Sequence, residues 1–298
     1  MSRVDQALRR AGGRDLGQPD VEPESARVED FPTEERRVAV VGPKTRPFVP
    51  ATAPAAPVFA PVERLTHLAP TVDGKVVVDS QISGASVEEY RRLATTLHLM
   101  QEVNGVRALI VSSALPRDGK TLTSTNLALT LSESYKRRVL LIDADFRRPS
   151  VHDIFGLSNA TGLADGLRGE GPIAMPFAQV SQHLTVLTAG IFQGSPMAGL
   201  TSDRMRSVMA DARARFDWVI VDTPPVGLIS DANLLASLVD GVLLVIGAGA
   251  TPYAAIQRAV SEFGRDRIVG VVLNRVTDDI AKKTYYGDYY GAGKGTRT

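Results

Sequence analysis

Residues 107–121, RALIVSSALPRDGKT, constrain this chain more than any other stretch. An apolar run from Ala108 to Val111 breaks at Ser112 and Ser113, passes Pro116 and Asp118, and reaches Gly119-Lys120-Thr121 ahead of a helical pattern. Strand, tight loop, Gly-Lys-Thr and helix is the order of a phosphate-binding loop. Backbone N–H groups and the helix N-terminus face one anion, the lysine reaches the outer phosphates, and the threonine hydroxyl can ligate Mg²⁺. The spacing G-x-x-x-x-G-K-[ST] puts a glycine at position 114, where this chain has Ala114. Gly-Lys-Thr alone is common, so the weight falls on what surrounds it.

What surrounds it is alternation. Strands are expected at Ala108 to Ser112, Val139 to Asp143, Leu184 to Leu187, Trp218 to Asp222, Val242 to Ile246 and Ile268 to Leu273. Helical patterns fall at about Lys120 to Tyr135, Asp203 to Arg215, Asp231 to Leu238 and Tyr253 to Phe263. The strands are near-continuous Val, Leu and Ile, as in a parallel sheet covered on both faces. The fold class is therefore α/β, a doubly wound and mainly parallel sheet of the P-loop NTPase type, with ligands at the C-terminal strand ends. A helix also starts with the box Ser86-Val87-Glu88-Glu89 and runs to about Gln101.

Proline marks the other boundary. Ten of the 18 prolines lie at or before Pro70, and VPATAPAAPVFAPV (Val49 to Val62) reads as extended linker. The chain divides into a Pro-rich, mostly disordered region at 1–80, a P-loop domain at 81–276 and a tail at 277–298. A short helix at 2–11 is expected from Ser2, Asp5 and the shared face of Val4, Ala7, Leu8 and Ala11. It is either a fraying end or a docking peptide. A net charge of +1 gives no bulk electrostatic case for a nucleic-acid partner. The absence of cysteine removes disulfides, zinc–thiolate sites and thiol nucleophiles. No apolar stretch approaches the roughly 20 residues that cross a bilayer, so the expected location is cytoplasmic, with any membrane role supplied by a partner.

Two strands end in acid. In LLIDADFRRP, Asp143 and Asp145 are two apart at a strand tip, and in WVIVDTPP Asp222 closes the strand ahead of Pro224-Pro225. Like charges held together need a cation or a shared proton, and Mg²⁺ on a nucleotide supplies the cation beside a phosphate loop. A strand-end aspartate can also simply cap the next helix.

The set SALPRDGKT, LLIDADFRRP and VIVDTPP resembles the Walker A, Walker A′ and Walker B motifs of the bacterial tyrosine kinases, autokinases of capsule and exopolysaccharide assembly. The likeness covers about Ser86 to the C-terminus, with GLADGLRGE, LTVLTAG and DGVLLVIGAGATP fitting as well. Septum-site and chromosome-partitioning ATPases share the fold but carry a signature lysine where this chain has Ala114, which favours the kinase branch. The tail KKTYYGDYYGAGKGTRT places Tyr285, Tyr286, Tyr289 and Tyr290 within six residues, of seven tyrosines in all. It resembles the family's autophosphorylation cluster; a sticky docking tail is the plain alternative.

The resemblance implies transfer of the ATP γ-phosphoryl group to tail tyrosines. Pro116, Arg117, Asp118, Gly119, Lys120, Thr121 and Leu122 would hold the phosphates, and Thr121, Asp145 and Asp222 would support Mg²⁺. Asp143 is the first choice to orient or deprotonate the phenol, whose free pKa is about 10, although its role and that of Asp145 are exchangeable. Arg147 and Arg148 either stabilise phosphate charge or pair with surface carboxylates. Asn274 is an adenine-contact candidate or a strand-end hydrogen bonder. The competing function is a nucleotide-switched positioning ATPase without kinase activity.

The family's ring-forming helix carries E-x-x-R-x-x-R. Here Glu88 and Arg91 match, and Ala94 replaces the last arginine. The resemblance implies a ring-forming homo-oligomer; where Ala94 breaks the motif, an ordinary amphipathic helix with solvated charges is the alternative. It also implies a cognate tyrosine phosphatase and, with no transmembrane stretch in this sequence, a separate membrane-embedded polysaccharide chain-length regulator as activator.

Overall fold

Six of the apolar runs become strands of one seven-stranded sheet: β1 (Ala108–Ser113), β2 (Val139–Asp143), β4 (Leu184–Leu187), β5 (Trp218–Asp222), β6 (Gly241–Gly247) and β7 (Ile268–Asn274). A two-residue β3 (Ala178–Gln179) completes it. The computed structural model describes residues 68–168, 175–194, 196–226 and 234–276. All of these belong to the larger of two units into which the chain divides; the other, Arg14–Val58, lies outside the described residues, as does the expected helix at 2–11.

The strand order is β3-β4-β2-β5-β1-β6-β7, parallel throughout except for β3 against β4. Alternate residues feed two separate cores. Ala108, Ile110, Leu140, Ile142, Val219 and Val221 pack on one face, while Leu109, Val111, Val139, Leu141, Trp218 and Ile220 pack on the other. Both faces are dry, which is why these strands are continuously apolar.

Helices α1 (Gly84–Asn104), α2 (Lys120–Leu129), α3 (Val151–Ile154), α4 (Leu163–Leu167), α5 (Pro196–Leu200), α6 (Asp203–Arg215) and α7 (Tyr253–Phe263) lie between or before the strands. A π-helical turn, Thr130–Ser134, continues α2. Within the expected helix over 231–238, Leu234 and Leu235 are helical and run into a 3₁₀ turn at Ala236–Leu238. Helix α1 starts earlier than the box at Ser86 implied. Ser83 is the N-cap, its side chain accepting from the Ser86 backbone N–H at 3.1 Å. Glu88 and Glu89 instead face Arg91 and Arg92 on the exposed side. Ala94 is fully buried, so an arginine there would carry its guanidinium into the core.

Residues 68–80, assigned to the disordered region by their composition, are packed. Val76 is fully buried, and Leu68, Val72 and Val77 lie against the same core as α1. The buried amide of Asn126 on α2 holds this strap from both sides, donating to Lys75 O and accepting from Val77 N, each at 2.9 Å. Ala69 N–H donates to Ile154 O at 3.0 Å. The ordered unit therefore begins ahead of residue 81, because one deep valine and one distant amide compensate for a linker-like composition.

Candidate active site

The loop leaving β1 is latched from behind. Asp118 is buried; one carboxylate oxygen accepts from Leu115 N–H at 3.0 Å and the other from the Thr251 hydroxyl at 2.7 Å. Thr251 Oγ1 in turn accepts from Gly247 N–H at 3.1 Å, tying the loop to the end of β6. Asn274, at the end of β7, donates from Nδ2 to Asp118 O at 2.9 Å and accepts from Arg275 N–H through Oδ1. Both polar atoms of the adenine-contact candidate are thus engaged with the backbone here. Gly119 has φ 98°, and a Cβ on it would stand 1.9 Å from Asn274 Nδ2. Only glycine satisfies both conditions. Pro116 and Arg117 are exposed on the loop's outer turn, Arg117 at φ 69°, and Leu122 is half-buried on α2.

The ends of β1, β2 and β5 then bring the acids to the lysine. Pairing of β2 with β5 sets Asp143 directly beside Asp222, and pairing of β5 with β1 sets Asp222 beside Val111. Lys120 Nζ lies 2.9 Å from Asp145 Oδ2 and 3.5 Å from Asp222 Oδ2. The Thr121 hydroxyl donates to Asp222 Oδ2 at 2.7 Å. Asp143 is fully buried; Oδ1 accepts from Asp145 N–H at 3.1 Å, and Oδ2 accepts from Ser150 and Val151 N–H at 2.9 and 3.0 Å. It caps α3 and still keeps one of the four lone-pair sites of a carboxylate. Arg147 and Arg148 are exposed beyond it, with Arg148 N–H on Asp145 Oδ1 at 3.0 Å.

The electrostatics are unbalanced. Burial, and then the Asp222 charge, push Asp143 up to about 7 against three backbone donors that lower it. Burial likewise raises Asp222 despite the opposing pull of Lys120 and Thr121. Burial works to lower Lys120, but Asp222, Asp145 and Asp143 together hold it above its ordinary value. Three carboxylates thus share one ammonium. Asp222 Oδ1 is buried and has no hydrogen-bond partner among the described residues. These residues fit a divalent cation, which would relieve the excess negative charge and satisfy the orphaned oxygen. Among the described residues no three His, Asp or Glu side chains are placed to hold an ion directly. Thr121 and Asp222 would therefore hold it alongside water and phosphate oxygens, as suits a hard, strongly hydrated ion.

Comparison with known proteins agrees with this chemistry. Residues 118–289 match the family profile described as the CobQ/CobB/MinD/ParA nucleotide binding domain. Tyrosine-protein kinase YwqD of Bacillus subtilis (strain 168) is 32% identical over 219 residues, covering 72% of this chain and 91% of YwqD. The chain belongs to the bacterial tyrosine-kinase family. Tyrosine-protein kinase wzc of Salmonella typhimurium is 32% identical over 209 residues, which is 68% of this kinase but 28% of wzc. Among solved structures, the VpsO kinase domain is 33% identical with a TM-score of 0.56, covering 65% of this kinase and 100% of that chain. Membership of this family implies that the kinase uses a nucleotide with a divalent metal. Among its described residues no helix is long and apolar enough to cross a membrane.

Sequence reading missed Thr251 and Ser150. Thr251 lies 133 positions from the Asp118 it contacts, and Ser150 Oγ donates to Thr121 Oγ1 at 3.2 Å across 29 positions. No spacing rule reaches that far. Tyr285, Tyr286, Tyr289 and Tyr290 lie outside the described residues.

Proposed function

We propose that the protein is an ATP-dependent tyrosine autokinase that phosphorylates Tyr285, Tyr286, Tyr289 and Tyr290 and thereby regulates exopolysaccharide or capsule synthesis. The observation that carries this reading is the single hydrogen-bonded cluster of Lys120, Thr121, Asp145 and Asp222 at the mouth of the loop. The kinase unit is taken as the P-loop domain, and 277–298 as its substrate tail.

In the proposed reaction the bond between the γ-phosphorus and the bridging oxygen of ADP breaks as a bond to the phenol oxygen forms. Lys120 turns from Asp145 toward the β- and γ-phosphates, and the N–H groups from Pro116 to Leu122 that remain unbonded cradle them (Pro116 itself contributes only backbone shape). Mg²⁺, held by Thr121 and Asp222 with Asp145 behind its water shell, would neutralise charge on the transferring group. Asp143 takes the phenol proton through its remaining lone pair, and a pKa near neutrality suits that task. Phosphoryl transfer has a loose transition state, so the fixed positions of these groups matter more than their basicity.

The same reading supplies the partners: a second copy presenting its tail, a tyrosine phosphatase that resets it, and a membrane-embedded chain-length regulator that draws the cytoplasmic kinase to the inner face of the membrane. The test is anti-phosphotyrosine detection after incubation with ATP and Mg²⁺, with the four tail tyrosines replaced together by phenylalanine as control. Strong signal in the parent and none in the quadruple variant is expected. ATP hydrolysis with no phosphotyrosine would move the protein to the positioning-ATPase reading.

A further inference from the structure

The Thr121 hydroxyl makes three hydrogen bonds whose directions assign its proton. It donates to Asp222 Oδ2 at 2.7 Å, which leaves its two lone pairs to accept from Lys120 Nζ and from Ser150 Oγ, each at 3.2 Å. An oxygen with both lone pairs engaged has none for a cation. Lys120 is the donor that leaves when it turns to a phosphate, so the lone pair it releases is the one that faces the ligand. Ser150 is held in place by a separate bond, its backbone N–H on Asp143 Oδ2 at 2.9 Å. Its side chain therefore joins the loop hydroxyl to the acidic end of β2 without depending on the nucleotide.

We propose that Ser150 is a positioning residue for the divalent cation: its hydroxyl keeps one lone pair of Thr121 occupied and the side chain fixed, so that the other is presented to the metal. This rests on the reading of Thr121 and Asp222 as the metal-holding side chains. Once Lys120 has turned to a phosphate, removing the Ser150 bond leaves only the Asp222 contact on the Thr121 hydroxyl, and its two lone pairs are no longer distinguished. The backbone bond that shapes the 144–151 loop does not need the serine side chain, so the positioning role and the structural role separate cleanly.

The test is equilibrium binding of a fluorescent ADP analogue to the full chain, titrated with Mg²⁺ and repeated in metal chelator, which reads no phosphoryl transfer. Ser150→Ala is expected to raise the Mg²⁺ midpoint on the order of tenfold, the usual effect of losing a group that orients a metal ligand. Metal-free nucleotide affinity and Tm should stay at the parent values, and Ser150→Thr should restore the midpoint. An unchanged Mg²⁺ midpoint in Ser150→Ala overturns the proposal. So does an equal loss of affinity with and without metal, which marks a structural role, and so does a Ser150→Thr protein that behaves like Ser150→Ala. A parent protein that binds the nucleotide under neither condition would overturn the phosphate-loop reading, and this proposal with it.

Discussion

Lys120 Nζ rests 2.9 Å from Asp145 Oδ2, with both side chains almost shut off from solvent. The ammonium stands in a place where negative charge exceeds positive, and it must give up this contact to reach a phosphate. Nucleotide and metal are therefore linked: the ligand that takes the lysine away leaves the carboxylates in need of a cation.

Lys120→Met should abolish tail phosphorylation with ATP and Mg²⁺. It should also lower the stability of the nucleotide-free protein at neutral pH, because buried Asp145 and Asp222 lose their counter-charge. Burial raises the Asp222 pKa, so Asp222 takes up a proton readily on acidification and the deficit relative to the parent should shrink as pH falls. Phosphotyrosine blots and urea unfolding at two pH values check both outcomes; persistent phosphorylation refutes the lysine's assigned role.

Gly119→Ala adds a methyl group at φ 98° against the Asn274 amide. The backbone strain alone costs about 1–3 kcal/mol. We expect a matching loss in chemical unfolding and a sharp fall in nucleotide affinity. Asn274→Ala should cost less in the Gly119→Ala background than in the parent, since there it removes the clash along with its own bonds to Asp118 O and Arg275 N–H. A double-mutant cycle with strictly additive losses would contradict the contact.

Asp143 makes folding pH-dependent with a definite sign. Its pKa is about 7 in the folded protein, against about 3.9 for a free aspartate. The folded state then holds the proton more tightly, so this contribution is complete below the free value and is lost as pH rises toward 7. Melting of the nucleotide-free protein, followed between about pH 5 and 7, should show Tm falling with pH. The slope should be shallower in Asp143→Asn, and an identical slope would argue against the shift.

Asn126→Ala leaves a hole at a buried position and removes the partner of two part-buried backbone groups on the strap, the Lys75 carbonyl and the Val77 N–H. An unsatisfied buried polar group costs about 1–3 kcal/mol. Urea unfolding should register a loss of that order, and hydrogen exchange at Val77 should quicken ahead of the sheet. Unchanged exchange there would mean that the clamp is not what holds the strap.

The sheet was legible because both of its faces are buried: strands with dry sides write themselves as unbroken Val, Leu and Ile. Helices α6 and α7 were equally plain, with Ser202 and Pro252 at their starts and apolar residues at helical spacing. The α1 start reads three residues late because Ser86-Val87-Glu88-Glu89 has the spacing of a capping box, whereas the residue that caps the helix is Ser83. Only backbone geometry shows that Ser83 is the extended residue. Two-residue β3 is too short to leave any periodicity. At the site, Asp143, Asp145 and Asp222 could be read from strand ends, whereas Asp118–Thr251, Gly119–Asn274 and Ser150–Thr121 join residues that meet only once the sheet has formed.

The strap also decides where this gene can be cut. A recombinant fragment opening at residue 81 would look tidy on paper, yet it would leave a vacated slot where Val76 sits and an amide on the phosphate-loop helix with nothing to grip. The damage would appear in nucleotide binding, a turn of helix away, and would be easily mistaken for an inactive enzyme. Fragments meant to report on this protein's chemistry should open upstream of Leu68.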